Sequence, residues 1–147
     1  MKTSVKRLLG VILTVSIVAS LLSVAASAAV VRSSNYLDAY ACSVSAENNG
    51  KIEVCVEVDA IVNATEIGAT EIYIYESTNG EDFTCVAEYF AEDYPEMLGS
   101  GRSYYDEPII HRGTVGKYYY AAVYVYAGNS TGGDTRAVNT NVVRAIR

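Results

Sequence analysis

Beyond Arg32, apolar and polar residues alternate with a period of two, and this alternation limits the possible folds more than any other feature. Such a pattern is typical of β-strands that bury one face and expose the other. It is clearest over 118–127, where the residues predicted to face inward are Tyr119, Ala121, Val123, Val125 and Ala127. No stretch of this region keeps a helical period over three turns. The sequence therefore predicts an all-β domain.

Turn residues divide this region into about seven strands. Asn48-Asn49-Gly50 and Asn79-Gly80 tolerate positive φ and predict tight turns. An acidic crossover loop is expected over 88–97 and a polar loop over 128–134. The predicted strands cover 40–46, 52–59, 71–76, 83–89, 107–112, 118–127 and 135–145. Short strands at this spacing predict one immunoglobulin or fibronectin type III-like Greek-key β-sandwich over 29–147.

The segment 1–28 has the organisation of a signal peptide. Basic residues within 1–7 precede an uncharged run that ends in Ala26-Ser27-Ala28. We expect cleavage after residue 28 and release of 29–147 as a secreted, extracellular domain with no membrane attachment. A signal anchor is the alternative, because the chain carries no charge between Arg7 and Arg32.

Charge narrows the possible partners of this domain. All 17 Asp and Glu lie beyond residue 28, whereas three of the 11 Lys and Arg lie within the predicted signal peptide. An acidic domain repels the phosphate backbone, so nucleic acid is not an expected partner.

The three cysteines form an odd set, so they can make at most one disulfide within the chain. Cys42 and Cys55 lie out of step in a predicted hairpin and point to opposite faces, which argues against a bond between them. No Cys-x-x-Cys pattern is present, and no metal role is expected. We expect Cys42, Cys55 and Cys85 to be small packing or surface residues, and the sequence leaves any pairing open.

The chain offers few residues for a catalytic mechanism. His111 is the only histidine, and no Gly-x-Ser-x-Gly elbow is present for a Ser-His-Asp arrangement. The carboxylates alternate along outer strand faces or share one loop, which is typical of solvated side chains and not of a glycosidase pair. We expect no catalytic residue and no cofactor, with His111 at a strand end beside Arg112. A small hydrolase is a remote alternative.

Calcium binding is a further alternative for the acidic loop and its surroundings. The candidate oxygen ligands are Glu92, Asp93, Glu96, Asp106 and Glu107. Their spacing matches no known calcium loop. An acidic loop that keeps the protein soluble explains them better, so no metal site is expected.

Tyrosine is the most informative residue type, with 13 copies against no Trp. If the third and sixth predicted strands share a sheet, their outward residues form one aromatic face, made of Tyr73, Tyr75, Tyr120, Tyr124 and Tyr126. Tyrosine suits recognition because it presents a large, rigid ring with a polar tip. Two other interpretations stay open, namely aromatic pairs that only stabilise the sheet and a face covered by the crossover loop. Tyr119 fits a tyrosine corner, whose hydroxyl bonds to the preceding loop.

Five segments of turn and strand carry a family resemblance, and they cover 36–40, 46–52, 67–72, 116–121 and 126–128. They resemble an uncharacterised family of small secreted proteins from Gram-positive bacteria, over nearly all of 29–147. The resemblance implies secretion and an immunoglobulin-like sandwich. It implies no chemistry, because the family has no assigned activity. The three cysteines depart from the family's pattern.

These features predict a secreted, non-catalytic β-sandwich that binds an extracellular protein or glycan. The candidate binding residues are the five tyrosines of the aromatic face, or Asn129, Thr131 and Asp134 of the polar loop. A protein is favoured over a sugar, because sugar-binding modules usually rely on Trp for stacking. The alternative is a structural protein that self-associates through edge strands or the aromatic face.

Overall fold

A computed structural model describes residues 34–105 and 108–147. Over these residues the chain is all-β, as predicted, and its strands form a curled antiparallel sheet with no α-helix. The predicted signal peptide over 1–28 lies outside the described residues.

The described residues form eight strands. They are β1 (Leu37–Glu47), β2 (Lys51–Ser77), β3 (Thr84–Phe90), β4 (Leu98–Tyr105), β5 (Ile109–Arg112), β6 (Tyr118–Asn129), β7 (Gly132–Asn139) and β8 (Val143–Arg144), with 3-10 turns at Asn48–Gly50 and Pro95–Met97. Strands β1, β2, β6 and β7 are neighbours in that order. Strands β3, β4 and β5 each pair with β2, and β8 pairs with β6. Strand β2 is therefore the centre of the sheet.

Strand β2 runs through both halves of the curled sheet. Its first part pairs with β1, β4 and β5, and its last part pairs with β3 and β6. The register with β4 shifts between Asp59 and Ala64 and again between Ala64 and Ile67, and irregularities of this kind bend a strand. Gly68 is required beside the bend, since its φ is 142° and a Cβ there would lie 2.2 Å from the Met97 carbonyl oxygen.

Predicted strands are joined, added or divided at three places, and β6 and β7 also extend into the predicted polar loop over 128–134. The second and third predicted strands are both parts of β2, because residues 60–70 stay extended although they lose the alternation. Strand β4 was not predicted, since its glycine-rich start carries no alternating pattern. The last predicted strand, over 135–145, is divided between β7 and β8.

The core lies on the inner face of the curled sheet. Its largest fully buried side chains are Tyr119, Ile52, Ile67, Ile72, Ile74, Met97, Val54, Val58, Val123 and Val125. The predicted inward face of β6 is confirmed, because all five of its residues are fully buried. Burial of one aliphatic side chain of this kind stabilises the fold by about 1.5–3 kcal/mol.

Side-chain hydrogen bonds join parts of the sheet that do not pair through their backbones. Asn141 Nδ2 donates to the Val44 carbonyl oxygen (2.9 Å), and Asn141 Oδ1 accepts from the Val44 N–H (3.0 Å). This bond pair caps the edge of β1, as a neighbouring strand would. A hydrogen bond of 3.2 Å joins the Tyr89 hydroxyl on β3 to His111 Nδ1 on β5.

Candidate functional site

Strands β2 and β6 bring outward tyrosines together on one sheet face. The strands pair antiparallel, so that Tyr75 lies opposite Tyr120, and Glu71 lies opposite Tyr124. The rings of Tyr75 and Tyr120 are stacked, with centroids 4.8 Å apart and 4° between their planes. Tyr73 and Tyr124 meet edge to face at 5.9 Å. We call the surface formed by Tyr73, Tyr75, Tyr120 and Tyr124 the tyrosine face.

Both phenylalanines of the chain extend the tyrosine face. Phe90 meets Tyr73 edge to face at 6.0 Å, and Phe83 meets Tyr120 at 4.9 Å. Neither contact was predicted, because both depend on the pairing of β3 with β2, which includes Phe90 and begins directly after Phe83. The available signal was that Phe83 begins the predicted fourth strand and that Phe90 directly follows its last residue. Each such ring pair contributes about 0.5–1.5 kcal/mol beyond the area that it buries.

The tyrosine face is partly open to solvent. Tyr124 is 37% exposed, and Tyr73, Tyr75 and Tyr120 are half-buried. The Tyr73 hydroxyl donates a 2.6 Å hydrogen bond to Glu71 Oε2, and this bond is the main reason that the pKa of Tyr73 rises to about 12. Desolvation raises the pKa of Tyr75 as well. The hydroxyls of Tyr73 and Tyr75 therefore stay protonated at neutral pH.

Tyr126, the fifth predicted tyrosine, lies apart from the tyrosine face. Its hydroxyl packs against the β6–β7 hairpin, where a Cβ on Gly128 or Gly133 would lie 2.1 or 2.3 Å from it. Within the described residues, no ring contact joins Tyr126 to another aromatic side chain. The structure therefore places Tyr126 in the packing of the hairpin.

The candidate loop residues contact other parts of this chain. Asn129 Oδ1 accepts hydrogen bonds from the Thr131 N–H (2.9 Å) and hydroxyl (2.6 Å). The Ser34 hydroxyl donates to Asp134 Oδ2 at 2.5 Å, and this bond is the main reason that the pKa of Asp134 falls below its usual value. A 3.1 Å hydrogen bond joins the hydroxyls of Tyr36 and Thr131. These contacts hold the residues before β1 against the hairpin.

Tyr119 forms the predicted tyrosine corner. Its ring is fully buried, and its hydroxyl accepts a 2.7 Å hydrogen bond from the Thr114 N–H in the preceding loop. The same hydroxyl donates to Glu76, whose other carboxylate oxygen accepts from Lys117 Nζ. The bonds from Lys117 and then Tyr119 hold the pKa of Glu76 below its usual value. This cluster fastens the loop before β6 to the end of β2.

His111 lies near the end of β5, opposite Ile52 of β2. Besides its bond to Tyr89, its ring meets that of Tyr119 at 5.9 Å. Burial lowers the pKa of His111. In the part of the chain that the structure describes, no Ser, Cys or carboxylate side chain hydrogen-bonds to this imidazole. The described contacts of His111 are thus with the side chains of Tyr89 and Tyr119.

All three cysteines are half-buried free thiols. Cys42 lies opposite Val56, and Ser43 lies opposite Cys55. Cys42 and Cys55 therefore project from opposite faces of the β1–β2 hairpin, which confirms the prediction from the alternation. Burial raises the pKa of Cys42 to about 11.

The acidic loop carboxylates Glu92, Asp93 and Glu96 are exposed. The other two candidate calcium ligands, Asp106 and Glu107, lie outside the described residues. Over 34–105 and 108–147, no three His, Cys, Asp or Glu side chains are grouped so that they could hold a metal ion.

No protein-family model, no curated protein and no solved structure matches this chain. Within the described ranges, no helix has both the length and the apolar character needed to cross a membrane.

Proposed function

We propose that this chain is a secreted, non-catalytic binding protein that recognises an extracellular partner, a protein in preference to a glycan, through the tyrosine face. The observation that carries this proposal is the set of tyrosines and phenylalanines in ring contact on one partly open sheet face. Rings that already pack against one another lose little freedom when a partner covers them. Tyrosine and phenylalanine are also enriched at the centres of protein interfaces.

The same proposal includes the secretion of the chain, its type of β-sandwich and the protein family to which it is related. The basic start and apolar run before Ala26-Ser27-Ala28 support a cleaved signal peptide over 1–28. The curling of one antiparallel sheet around a single core, together with the corner at Tyr119, supports a variant of the immunoglobulin or fibronectin type III-like sandwich. The resembling segments support kinship with the small secreted proteins of Gram-positive bacteria.

Self-association is the second candidate function. Strand β7 ends the order β1-β2-β6-β7, and the described residues place no further strand on its outer side. An open strand edge can pair with a second copy of the chain. The other route to self-association is packing of the tyrosine faces of two copies against each other, which would bury this face between them.

A titration with matched variants tests the proposed function. Cell-wall glycans, mucin-type glycans and extracellular surface proteins are titrated into the purified protein while its tyrosine fluorescence is recorded. For a binding protein we expect a monomer by light scattering and a saturating response to one ligand class. The double variant Tyr73→Ala/Tyr124→Ala should bind that ligand at least about tenfold more weakly, because large aromatic residues dominate interface energies.

The control replaces two exposed tyrosines outside the tyrosine face, as Tyr40→Ala/Tyr105→Ala, and should bind like the wild type. Tyr40 is 43% exposed and Tyr105 is 79% exposed, so the control removes at least as much exposed ring. Wild-type affinity in the Tyr73→Ala/Tyr124→Ala variant would refute the role of the tyrosine face. A stable oligomer that gives no response to any ligand, and that this variant dissociates, would favour self-association.

A further inference from the structure

A cleft of about 400 Å³ opens beside the tyrosine face. The residues that line it include three acidic ones, Glu66, Glu71 and Glu92, and three apolar ones, Phe90, Ala91 and Leu98. Glu71 and Phe90 also contact Tyr73, so the cleft and the tyrosine face are continuous. Ligand sites have volumes of about 300–1,000 Å³, and this cleft lies at the lower end of that range.

The carboxylates of the cleft have no cation from this chain among the residues that the structure describes. Neither of the two salt bridges in those residues involves Glu66, Glu71 or Glu92. Glu71 accepts one hydrogen bond, from the neutral Tyr73 hydroxyl. A cleft lined by three acidic side chains that have no cation of their own attracts a positively charged group.

The apolar walls decide which cation fits. A metal ion needs several oxygen ligands around one point, and the sides formed by Phe90 and Leu98 supply none. A guanidinium group matches both kinds of wall, because its edge donates to carboxylates in a planar fork and its face stacks on aromatic rings. An ammonium group is more strongly hydrated and has no flat face to stack. The lining therefore favours arginine over lysine.

We propose that this cleft takes an arginine side chain from the protein that docks on the tyrosine face. The inference rests on the proposed function, because the tyrosine face supplies the contact area around the cleft. A side chain carried by a docked backbone enters the cleft at no further cost in translational freedom, unlike a free small cation. The formal net charge of −6 likewise favours a basic partner.

Peptide binding to the purified, isotope-labelled protein tests this inference by amide NMR. The probes are a blocked Gly-Arg-Gly tripeptide and the same tripeptide with citrulline, which keeps the shape of arginine without its charge. The arginine peptide should shift the amide signals of Glu66, Glu71, Phe90, Ala91 and Leu98. The citrulline peptide should leave them in place.

Two triple variants separate the cleft from net charge. The variant Glu66→Gln/Glu71→Gln/Glu92→Gln should bind the arginine peptide about tenfold more weakly or worse, because charge-assisted hydrogen bonds are lost. The control changes three exposed carboxylates elsewhere, as Glu47→Gln/Glu57→Gln/Glu81→Gln, and carries the same net charge. It should keep wild-type affinity.

Several outcomes would overturn the inference. One is that the arginine peptide shifts none of the amide signals of the cleft residues, and another is that both peptides shift them equally. A third is that the two triple variants lose the same affinity for the arginine peptide, because net charge alone would then attract it. A protein partner that is lost in Tyr73→Ala/Tyr124→Ala but kept in the cleft variant would also overturn it, while the proposed function stands. If the arginine peptide binds in the cleft but a protein partner binds Tyr73→Ala/Tyr124→Ala as tightly as wild type, the role of the tyrosine face is refuted. The arginine site in the cleft is then still supported.

Discussion

Removal of one hydroxyl, in Tyr119→Phe, tests how the start of β6 is held in the fold. In the structure this hydroxyl accepts from the Thr114 N–H at 2.7 Å and donates to the Glu76 carboxylate. A hydrogen bond between neutral groups contributes about 0.5–1.5 kcal/mol, and one to a charged group contributes about 1.5–3 kcal/mol. The ring itself stays in place. We expect the free energy of unfolding to fall by about 2–4 kcal/mol.

Part of this loss depends on pH. Bonds from Lys117 and Tyr119 lower the folded-state pKa of Glu76 below the ordinary value of 4.5. A carboxylate with a lowered folded-state pKa stabilises the fold above its unfolded pKa, and this contribution disappears as pH falls through the folded-state pKa. In acid, the hydroxyl therefore donates to a neutral carboxyl group, and the bond is weaker. The difference between wild type and Tyr119→Phe should be larger at neutral pH than in acid.

Urea unfolding, followed by far-UV circular dichroism at neutral pH and at about pH 3, measures both effects. Tyr120→Phe is the matched control in the same strand, because its hydroxyl makes no hydrogen bond within the described residues. The control should stay within about 0.5 kcal/mol of wild type. A loss in Tyr119→Phe no larger than that of the control would refute the reasoning about the cluster. Equal losses at both pH values would refute its ionic part.

Three other perturbations have expected outcomes. In Gly113→Ala the new Cβ would lie 2.7 Å from the Tyr119 ring. The free energy of unfolding, measured in urea, should therefore fall by about 1–3 kcal/mol, and a variant as stable as wild type would contradict the close contact. Burial lowers the folded-state pKa of His111 below 6.5, so the wild type should lose stability as pH falls through 6.5, where the unfolded state binds the proton first. In His111→Gln the urea midpoint should depend less on pH over this range. An unchanged pH dependence would contradict the assignment of this effect to His111. Burial raises the pKa of Cys42 from 9.0 to about 11, which lowers its thiolate fraction about a hundredfold. Because the thiolate is the form that reacts, iodoacetamide should label Cys42 far more slowly in the folded protein than in urea. Similar labelling rates by mass spectrometry would contradict this expectation.

The sequence by itself determined the features that depend on neighbours along the chain. The inward face of β6 and the opposed directions of Cys42 and Cys55 follow from alternation, because successive side chains of a strand point to opposite faces. The corner bond of Tyr119 spans five residues, so it too was visible in the local pattern. The sequence also identified the tyrosines of β2 and β6 as outward residues.

Only the tertiary structure decided which outward residues meet. It joined two predicted strands into β2, added Phe83 and Phe90 to the tyrosine face, and opened the cleft beside it. It also engaged Asp134 with Ser34, 100 residues earlier in the chain. The physical reason is that these contacts depend on long-range strand pairing and register, which follow from how whole apolar faces pack together. A period of two gives the face of each residue, but it does not give its neighbour on the next strand.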